Sequence, residues 1–364
     1  MHLEVGKTIG DYQIVALLGR GGMGRVFKVR NVISDRVEAM KSLLAYADSE
    51  PELAERFIRE IKVLARLEHP NIISFRTAFR ADNELLMIME HVEGSSLDRK
   101  LAVKRVELRR AVHYTCQVLD ALSHAHRSGV LHRDVKPSNI LISAGDQVKL
   151  SDFGIASLTE DPGLTMTGKA LGTLFYMSPE QMKAEPLDVT SDIYSVGVTL
   201  YEMVTGRVPF KGDSYYQILK AHLESKPIPP IDLVPDAPAE LSMIIEKALE
   251  KKTSDRFQSA DEFRAALLAL NIPKTETDDL PTATVAIPGY SPGHKTPGRG
   301  SKSWDPAILE TARKSLAVYI GPMARVIVGR ASNQAQSVQE LYQILSSEIA
   351  SLHDREKFLR SAPH

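Results

Sequence analysis

Up to about residue 92 the apolar residues come in short runs of strand length. These are YQIVALLG (12–19), RVFKVRNV (25–32), VEAMKSLL (37–44), IISFRTAF (72–79) and LLMIMEHV (85–92). They are rich in the β-branched and aromatic side chains that suit a pleated, half-buried surface. One stretch changes the period: in ELAERFIREIKVLARL (52–67), Leu53, Phe57, Ile61 and Leu64 fall on one face of a helix. From about residue 97 to 270 the pattern is mainly helical, clearest in AVHYTCQVLDALSHAH (111–126), DIYSVGVTLYEMVTG (192–206), LSMIIEKALE (241–250) and SADEFRAALLAL (259–270). A small β-rich part followed by a larger helical part predicts an α+β protein with two lobes.

The period then disappears. Residues 273–303 contain five prolines and four glycines with Ser and Thr between them, the composition of a flexible linker. Helical spacing resumes after Asp305-Pro306, a good cap and first-turn pair, with Ile308, Leu309, Ala312, Leu316, Tyr319 and Ile320. Gly321-Pro322 is expected to stop that helix, and Ser337 with Glu340 forms a capping-box pattern ahead of Leu341, Ile344, Leu345 and Ile349. The expected organisation is a main domain over 9–271 (lobes about 9–92 and 93–271), a linker over 272–303 and a small helical domain over 304–364.

Composition narrows the class. A formal net charge of -1 in 364 residues lacks the basic excess of a nucleic-acid or membrane-surface binder, so neither partner is expected. Cys116 is the single cysteine, which rules out an intrachain disulfide and suits a reducing compartment. It lies at helical spacing with Val112, Leu119 and Leu122, so a buried thiol is expected there. The N-terminus lacks a leader pattern, and no window reaches the roughly 18 consecutive apolar residues of a membrane span. The expectation is a cytoplasmic protein.

Candidate chemistry clusters in a few short segments. Gly19, Gly21 and Gly24 have G-x-G-x-x-G spacing, which also marks dinucleotide-binding folds. Here Arg25, Val26 and Phe27 continue into a strand instead of opening a helix, so the glycines are placed at a hairpin tip, where backbone N–H groups can approach phosphates. Lys41 ends a strand, and an inward lysine needs a partner; Glu60, beside the apolar face of the first helix, can supply it. Asp152 lies between an apolar strand and Gly154, and its carboxylate suits Mg²⁺, with Asn139 sharing the metal. The stretch VLHRDVKPSNI (130–140) crowds His132, Arg133, Asp134, Lys136 and Asn139 between apolar runs. A solvated surface loop and a catalytic loop are both readings of such crowding.

Taken together and in order, these segments resemble the bacterial, eukaryotic-like (Hanks-type) serine/threonine protein kinases. The resemblance rests on Gly19-x-Gly21-x-x-Gly24-x-Val26, Ala39-Met40-Lys41, His132-Arg133-Asp134 through Asn139, Asp152-Phe153-Gly154 and Ser178-Pro179-Glu180, over about residues 9–270. It implies a bilobal protein kinase fold, with ATP and Mg²⁺ (Mn²⁺ as an alternative ion) as cofactors and Ser/Thr-bearing proteins as substrates. Gly19, Gly21 and Gly24 would cover the phosphates; Leu18, Val26 and Ala39 would line the nucleotide pocket. Lys41, paired with Glu60, would bind the α and β phosphates. Met89 would stand as gatekeeper, with Glu90 and Val92 presenting backbone groups to the adenine. Asp134 would orient the substrate hydroxyl, Lys136 would neutralise the γ-phosphate, and Asn139 and Asp152 would hold the metal.

The same resemblance assigns supporting roles. Glu180 would pair with Arg256, Asp192 would brace the catalytic loop, and His132 would be a packing residue. Ser178 departs from the family's more usual alanine. Arg133 before the catalytic aspartate implies control by activation-loop phosphorylation, with Thr165 and Thr167 as the expected autophosphorylation sites. Thr173 would pack against the catalytic loop. In the linker, Thr282 and Thr284 resemble sites that recruit phosphothreonine-binding partners, the plainer reading being a solvated spacer. The last 60 or so residues resemble a small helical domain of bacterial signalling proteins, expected to self-associate or dock on a partner. A pseudokinase-like scaffold acting through that domain is the alternative to an enzyme. An aminoglycoside-kinase-type phosphotransferase is disfavoured by the segment GTLFYMSPE (172–180).

Overall fold

The computed structural model describes residues 3–20, 24–43, 51–81, 84–153, 170–212, 214–272, 306–320, 324, 328, 331–332, 335, 337–346 and 352–360. The chain divides into two compact units. One comprises Met1–Thr159, Phe175–Phe210 and His222–Lys274; the other comprises Glu160–Leu174, Lys211–Ala221 and Thr275–His364.

The first unit opens with β1 (Thr8–Ile9), β2 (Tyr12–Arg20), β3 (Gly24–Asn31), β4 (Val37–Leu43), α1 (Pro51–Leu64), β5 (Phe75–Ala81) and β6 (Glu84–Glu90). The strands form an antiparallel six-stranded sheet in the order β1-β2-β3-β4-β6-β5. Side chains alternate across a strand, and the two faces of this sheet differ in kind. Ile14, Phe27, Val29, Met40, Leu86 and Ile88 pack with Leu3 and Ile9 into one apolar cluster. Registers Val26↔Lys41 and Ala39↔Met89 put those four residues on the opposite face. Gly24 is required by packing: a Cβ there would lie 1.8 Å from the Ser42 carbonyl oxygen on β4.

The expected strand over 72–79 begins only at Phe75. Ile72 and Ile73 are buried but serve another neighbour, because Ile73 N–H donates to the Leu150 carbonyl (3.0 Å) and Leu150 N–H to that of Asn71 (2.8 Å). An apolar run reports burial, and its partner strand is set by tertiary structure.

The helical lobe contains β7 (Gly94–Ser96), α2 (Leu97–Leu101), α3 (Leu108–Arg127), β8 (Ile140–Ser143) and β9 (Val148–Leu150), and the chain continues through α4 (Ala170–Leu174), α5 (Pro179–Met182), α6 (Val189–Thr205), α7 (Tyr215–Glu224), α8 (Pro230–Leu233), α9 (Ala239–Ala248) and α10 (Ala260–Leu268). The chain therefore has the expected α+β architecture, a β-rich lobe followed by a helical one. Glu107 caps α3, accepting from the N–H groups of Arg109 (2.8 Å) and Arg110 (3.0 Å), which satisfies two of the helix's orphan donors. Cys116 on that helix is buried, and burial pushes its thiol up to about 11, so it is inert as a nucleophile. Helix α6 is buried on nearly every side, and a Cβ added at Gly197 would lie 2.8 Å from the Ala248 Cβ of α9. Strands β7, β8 and β9 form a small antiparallel sheet inside the mainly helical region, too short to carry a period of their own.

In the second unit α11 (Pro306–Ile320), α12 (Val338–Ser346) and α13 (Leu352–Leu359) surround a core of Ala312, Leu316, Ala324, Val328, Ala331, Ala335, Leu341, Tyr342, Leu345 and Phe358. Tyr342 and Phe358 stack with ring centroids 5.1 Å apart. Ser337 caps α12 by accepting from Glu340 N–H at 3.1 Å. No helix among the described residues is long and apolar enough to cross a membrane.

Candidate active site

Strand register places the first part of the site. Gly19, Val26, Lys41 and Met87 succeed one another across four strands, so the lysine projects from the face that carries Val26, Ala39 and Met89. Ala39 and Met89 are buried, whereas Leu18 is 38% exposed. Nothing lies within 4 Å of a Cβ built on Gly19. Gly21 falls outside the described residues.

Lys41 is 8% exposed and Glu60 5%, and Nζ donates to Glu60 Oε1 at 2.7 Å and to Asp152 Oδ1 at 2.8 Å. One ammonium thus joins strand, helix and the metal-site candidate. Burial alone would lower the Lys41 ammonium, but the two carboxylates overcome it and hold the lysine firmly charged. The Lys41 charge holds the Asp152 carboxyl below its usual range. Burial acts in the opposite sense on Glu60, raising its carboxyl against the pull of Lys41.

The crowded loop is anchored from beneath. Asp192 on α6 is 1% exposed and accepts from His132 N–H (2.9 Å) and Arg133 N–H (2.7 Å), while one oxygen meets His126 Nε2 at 2.8 Å. These bonds hold Arg133 at φ 66°, a left-handed conformation that a long side chain adopts only under such constraint. His132 is fully buried. Its Nε2 meets the Ser151 carbonyl at 3.0 Å, its Nδ1 accepts from Asp134 N–H at 3.2 Å, and its ring lies 4.6 Å from that of Phe153. Burial depresses its basicity. A neutral ring that donates at Nε2 and accepts at Nδ1 satisfies both bonds, so His132 packs the loop.

Above this base, Asp134 Oδ2 accepts from Lys136 Nζ at 2.7 Å and from Asn139 Nδ2 at 3.0 Å. Asn139 Nδ2 also donates to the Asp134 carbonyl at 2.8 Å, which aims the amide oxygen away from the aspartate. Both side-chain donors thus converge on Oδ2 of Asp134, which fixes the orientation of the carboxyl group. Among the described residues no cluster of three His, Cys, Asp or Glu side chains forms a ready metal cage. One carboxylate (Asp152) and one amide oxygen (Asn139) still fit Mg²⁺, which keeps water and phosphate oxygens in its shell and takes few protein ligands.

Two connections escaped the sequence reading. Ser178 caps α5, accepting from Gln181 N–H (3.3 Å) while Gln181 Oε1 accepts from Ser178 N–H (2.9 Å). Gln181 Nε2 in turn donates to the Arg133 carbonyl at 2.7 Å, tying α5 to the loop that carries Asp134; the S-x-x-Q spacing was the available signal. Glu180 accepts two hydrogen bonds from Arg256. Arg133 Nη1 is buried with no hydrogen-bond partner among the described residues. Thr165, Thr167, Thr282 and Thr284 lie outside the described residues. Thr173 lies in α4.

Comparison with known proteins adds a family. A family model described as a protein kinase domain matches residues 12–266, and one described as a domain of unknown function matches 307–363. The serine/threonine-protein kinase pkn3 of Myxococcus xanthus is 42% identical over 290 residues, 76% of this chain and 53% of that protein. PknB of Mycolicibacterium smegmatis is 37% identical over 290 residues, 76% of this chain and 46% of that protein. The chain thus spans about half the length of these curated relatives. The crystal structure of the Mycobacterium tuberculosis PknI kinase domain superposes with a TM-score of 0.59 at 28% identity, covering 73% of this chain and 98% of that one.

Proposed function

Because this chain belongs to the protein kinase domain family, we propose that it transfers the γ-phosphate of ATP to serine and threonine hydroxyls of proteins, its own activation segment included. The observation that carries this reading is the continuous polar chain from Glu60 through Lys41 to Asp152, beside Asp134 held by Lys136 and Asn139. A scaffold that only bound nucleotide would have no use for the second half of it.

ATP and its divalent ion, Mg²⁺ with Mn²⁺ as an alternative, supply the transferable phosphoryl group and most of the charge neutralisation. The chain's residues do the positioning. Leu18, Val26, Ala39 and Met89 enclose the base, and the backbone at Glu90 and Val92 meets its edge. Gly19, Gly21 and Gly24 belong to the segment that covers the phosphates, which Lys41 grips with Glu60 behind it. Asn139 and Asp152 hold the metal. Asp134 orients the attacking hydroxyl and takes its proton, and Lys136 balances charge on the transferring group.

The buried Nη1 of Arg133, without a hydrogen-bond partner among the described residues, supports a switch: a phosphate on Thr165 or Thr167 would give the guanidinium a counter-charge. A cytoplasmic site of action, self-association or partner docking through the C-terminal helices, and recruitment of a phosphothreonine-binding partner at the linker complete the proposal. Labelled ATP offered with a generic basic protein tests the activity. Transfer by wild type and none by Lys41→Met is expected; an inactive wild type favours the scaffold. Phosphopeptide mapping tests the switch, and a fully active Thr165→Ala/Thr167→Ala double variant would overturn it.

A further inference from the structure

Strand β6 ends at Glu90, beyond which His91 and Val92 have no strand partner among the described residues. The backbone of that segment is where the proposed function seats the adenine, and its position needs fixing from outside the sheet. Glu90 is fixed three ways. Its N–H donates to the Ser74 carbonyl at 2.9 Å. Its carboxylate accepts from Ser74 N–H at 3.2 Å and from Lys149 Nζ at 2.8 Å. The two side chains are 25% and 11% exposed, so this ion pair is better sheltered than an ordinary surface pair and worth correspondingly more.

Lys149 lies on β9, three residues before Asp152. The same stretch that bonds Glu90 also bonds β9, through Leu150 N–H to the Asn71 carbonyl and Ile73 N–H to that of Leu150. Residues 71–74 therefore act as a splint, with the adenine-facing segment along one edge and the strand leading to Asp152 along the other. The Lys149 side chain crosses the splint and locks the two edges together. We propose that Lys149 is a positioning residue for the nucleotide, acting through the Glu90 carboxylate to set the hinge backbone at a fixed distance from the metal-binding aspartate. This rests on the reading of the chain as an ATP-dependent kinase. Without Lys149, Glu90 keeps a half-buried carboxylate with no counter-charge, which turns toward water and releases the hinge. Asp134 and its partners are untouched, so the loss falls on nucleotide binding.

The test compares Lys149→Met, Glu90→Gln, the double variant and Lys149→Arg with wild type in the full chain, reading Mg-ADP affinity by calorimetry and steady-state kinetics. Lys149→Met and Glu90→Gln should each raise the Mg-ADP Kd and the KM for ATP about 5- to 10-fold, the worth of one charge-assisted hydrogen bond. kcat and the KM for the protein substrate should stay within about twofold, a split that general loosening of the fold would not produce. The double variant should be no weaker than either single one, and Lys149→Arg should recover most of the affinity. Unchanged Mg-ADP affinity in Lys149→Met, fully additive single effects, or an equal fall in kcat would each overturn the proposal. A wild type that binds Mg-ADP but transfers no phosphate would overturn the kinase reading and leave the affinity comparison to judge the strap. A wild type that binds no nucleotide would overturn both.

Discussion

Arg256 and Glu180, 76 residues apart, meet in the core as a two-pronged pair, with Nη1 donating to Oε1 at 2.8 Å and Nη2 to Oε2 at 2.9 Å. They are 1% and 4% exposed, and the remaining donors are spent on the carbonyls of Glu250, Lys251 and Thr190. Arg256→Met should therefore cost about 3–5 kcal/mol, because it strands a buried carboxylate. Urea denaturation of the full chain reads this, and a loss under 1 kcal/mol would show that Glu180 finds another partner. Burial alone would raise the Glu180 carboxyl, but Arg256 overcomes it and holds it low. The pair's stability is then present above the ordinary carboxylate range and lost as pH falls through the lowered value.

Glu60→Gln removes the charge that holds Lys41 from behind while keeping the shape of the side chain. Lys41 then leans wholly on Asp152, away from the phosphates. A fall in kcat/KM of about 10- to 100-fold is expected, the usual consequence of misplacing a gripping group by an ångström or so. Phosphotransfer at saturating ATP beside subsaturating ATP measures it.

His222 is completely buried, and its Nδ1 sits 2.9 Å from the Tyr194 hydroxyl. Burial, and then the nearby Lys251 charge, push its pKa down to about 3. The folded state thus binds fewer protons than the unfolded chain once pH drops below the ordinary histidine value. Stability is full above about pH 6.5 and should fall by up to about 1.4 kcal/mol per pH unit below it. Denaturation curves at pH 7.5, 6 and 5 should show that slope, and His222→Asn should flatten it.

Lys251 presents the opposite economy of charge. Its Nζ is buried without a hydrogen-bond partner among the described residues, 3.9 Å from the centre of the Phe210 ring. Burial first, and Arg256 second, lower its pKa to about 7. The folded state is therefore penalised for carrying this charge from about pH 10.5 downward, in full once pH is below 7. Lys251→Met should raise stability at neutral pH by about 1–2 kcal/mol after the lost cation–π contact is counted. The gain should shrink as pH is raised toward 10, and a destabilised variant at pH 7 would mean that the ring contact dominates.

Ser178→Ala should cost about 1 kcal/mol through loss of the α5 cap. Gln181→Ala adds a catalytic cost, since the Arg133 carbonyl loses its tie, and kcat should fall several-fold with the KM for ATP unchanged. Equal effects of the two substitutions on kcat would show that the cap alone matters.

The two-lobed plan was legible because period two and period 3.6 separate cleanly near residue 92. The Lys41–Glu60 contact was legible only through the ordered set of motifs around it, since a lone lysine or glutamate is usually solvated. Less visible was the sharing of Lys41 with Asp152, 111 residues away, which no local pattern encodes. Ile72 and Ile73 read as sheet and instead bridge to β9, since periodicity registers burial and is blind to the identity of the neighbour. Ser178 read as a departure from the family's usual alanine, yet its hydroxyl closes a capping box whose glutamine reaches the catalytic loop. Glu90 was expected to offer only its backbone, and its side-chain pairing with Lys149 had no signal, because each is an ordinary charge on a strand.

Asp192 belongs to a helix that is otherwise core, yet through His132 and Arg133 it shapes the loop that carries Asp134. The loop and the middle of α6 are therefore one mechanical part, 60 and 59 residues apart along the chain and bonded directly in the fold. A disturbance of the helix at Asp192 is delivered to the aspartate two residues beyond His132 without any contact to it.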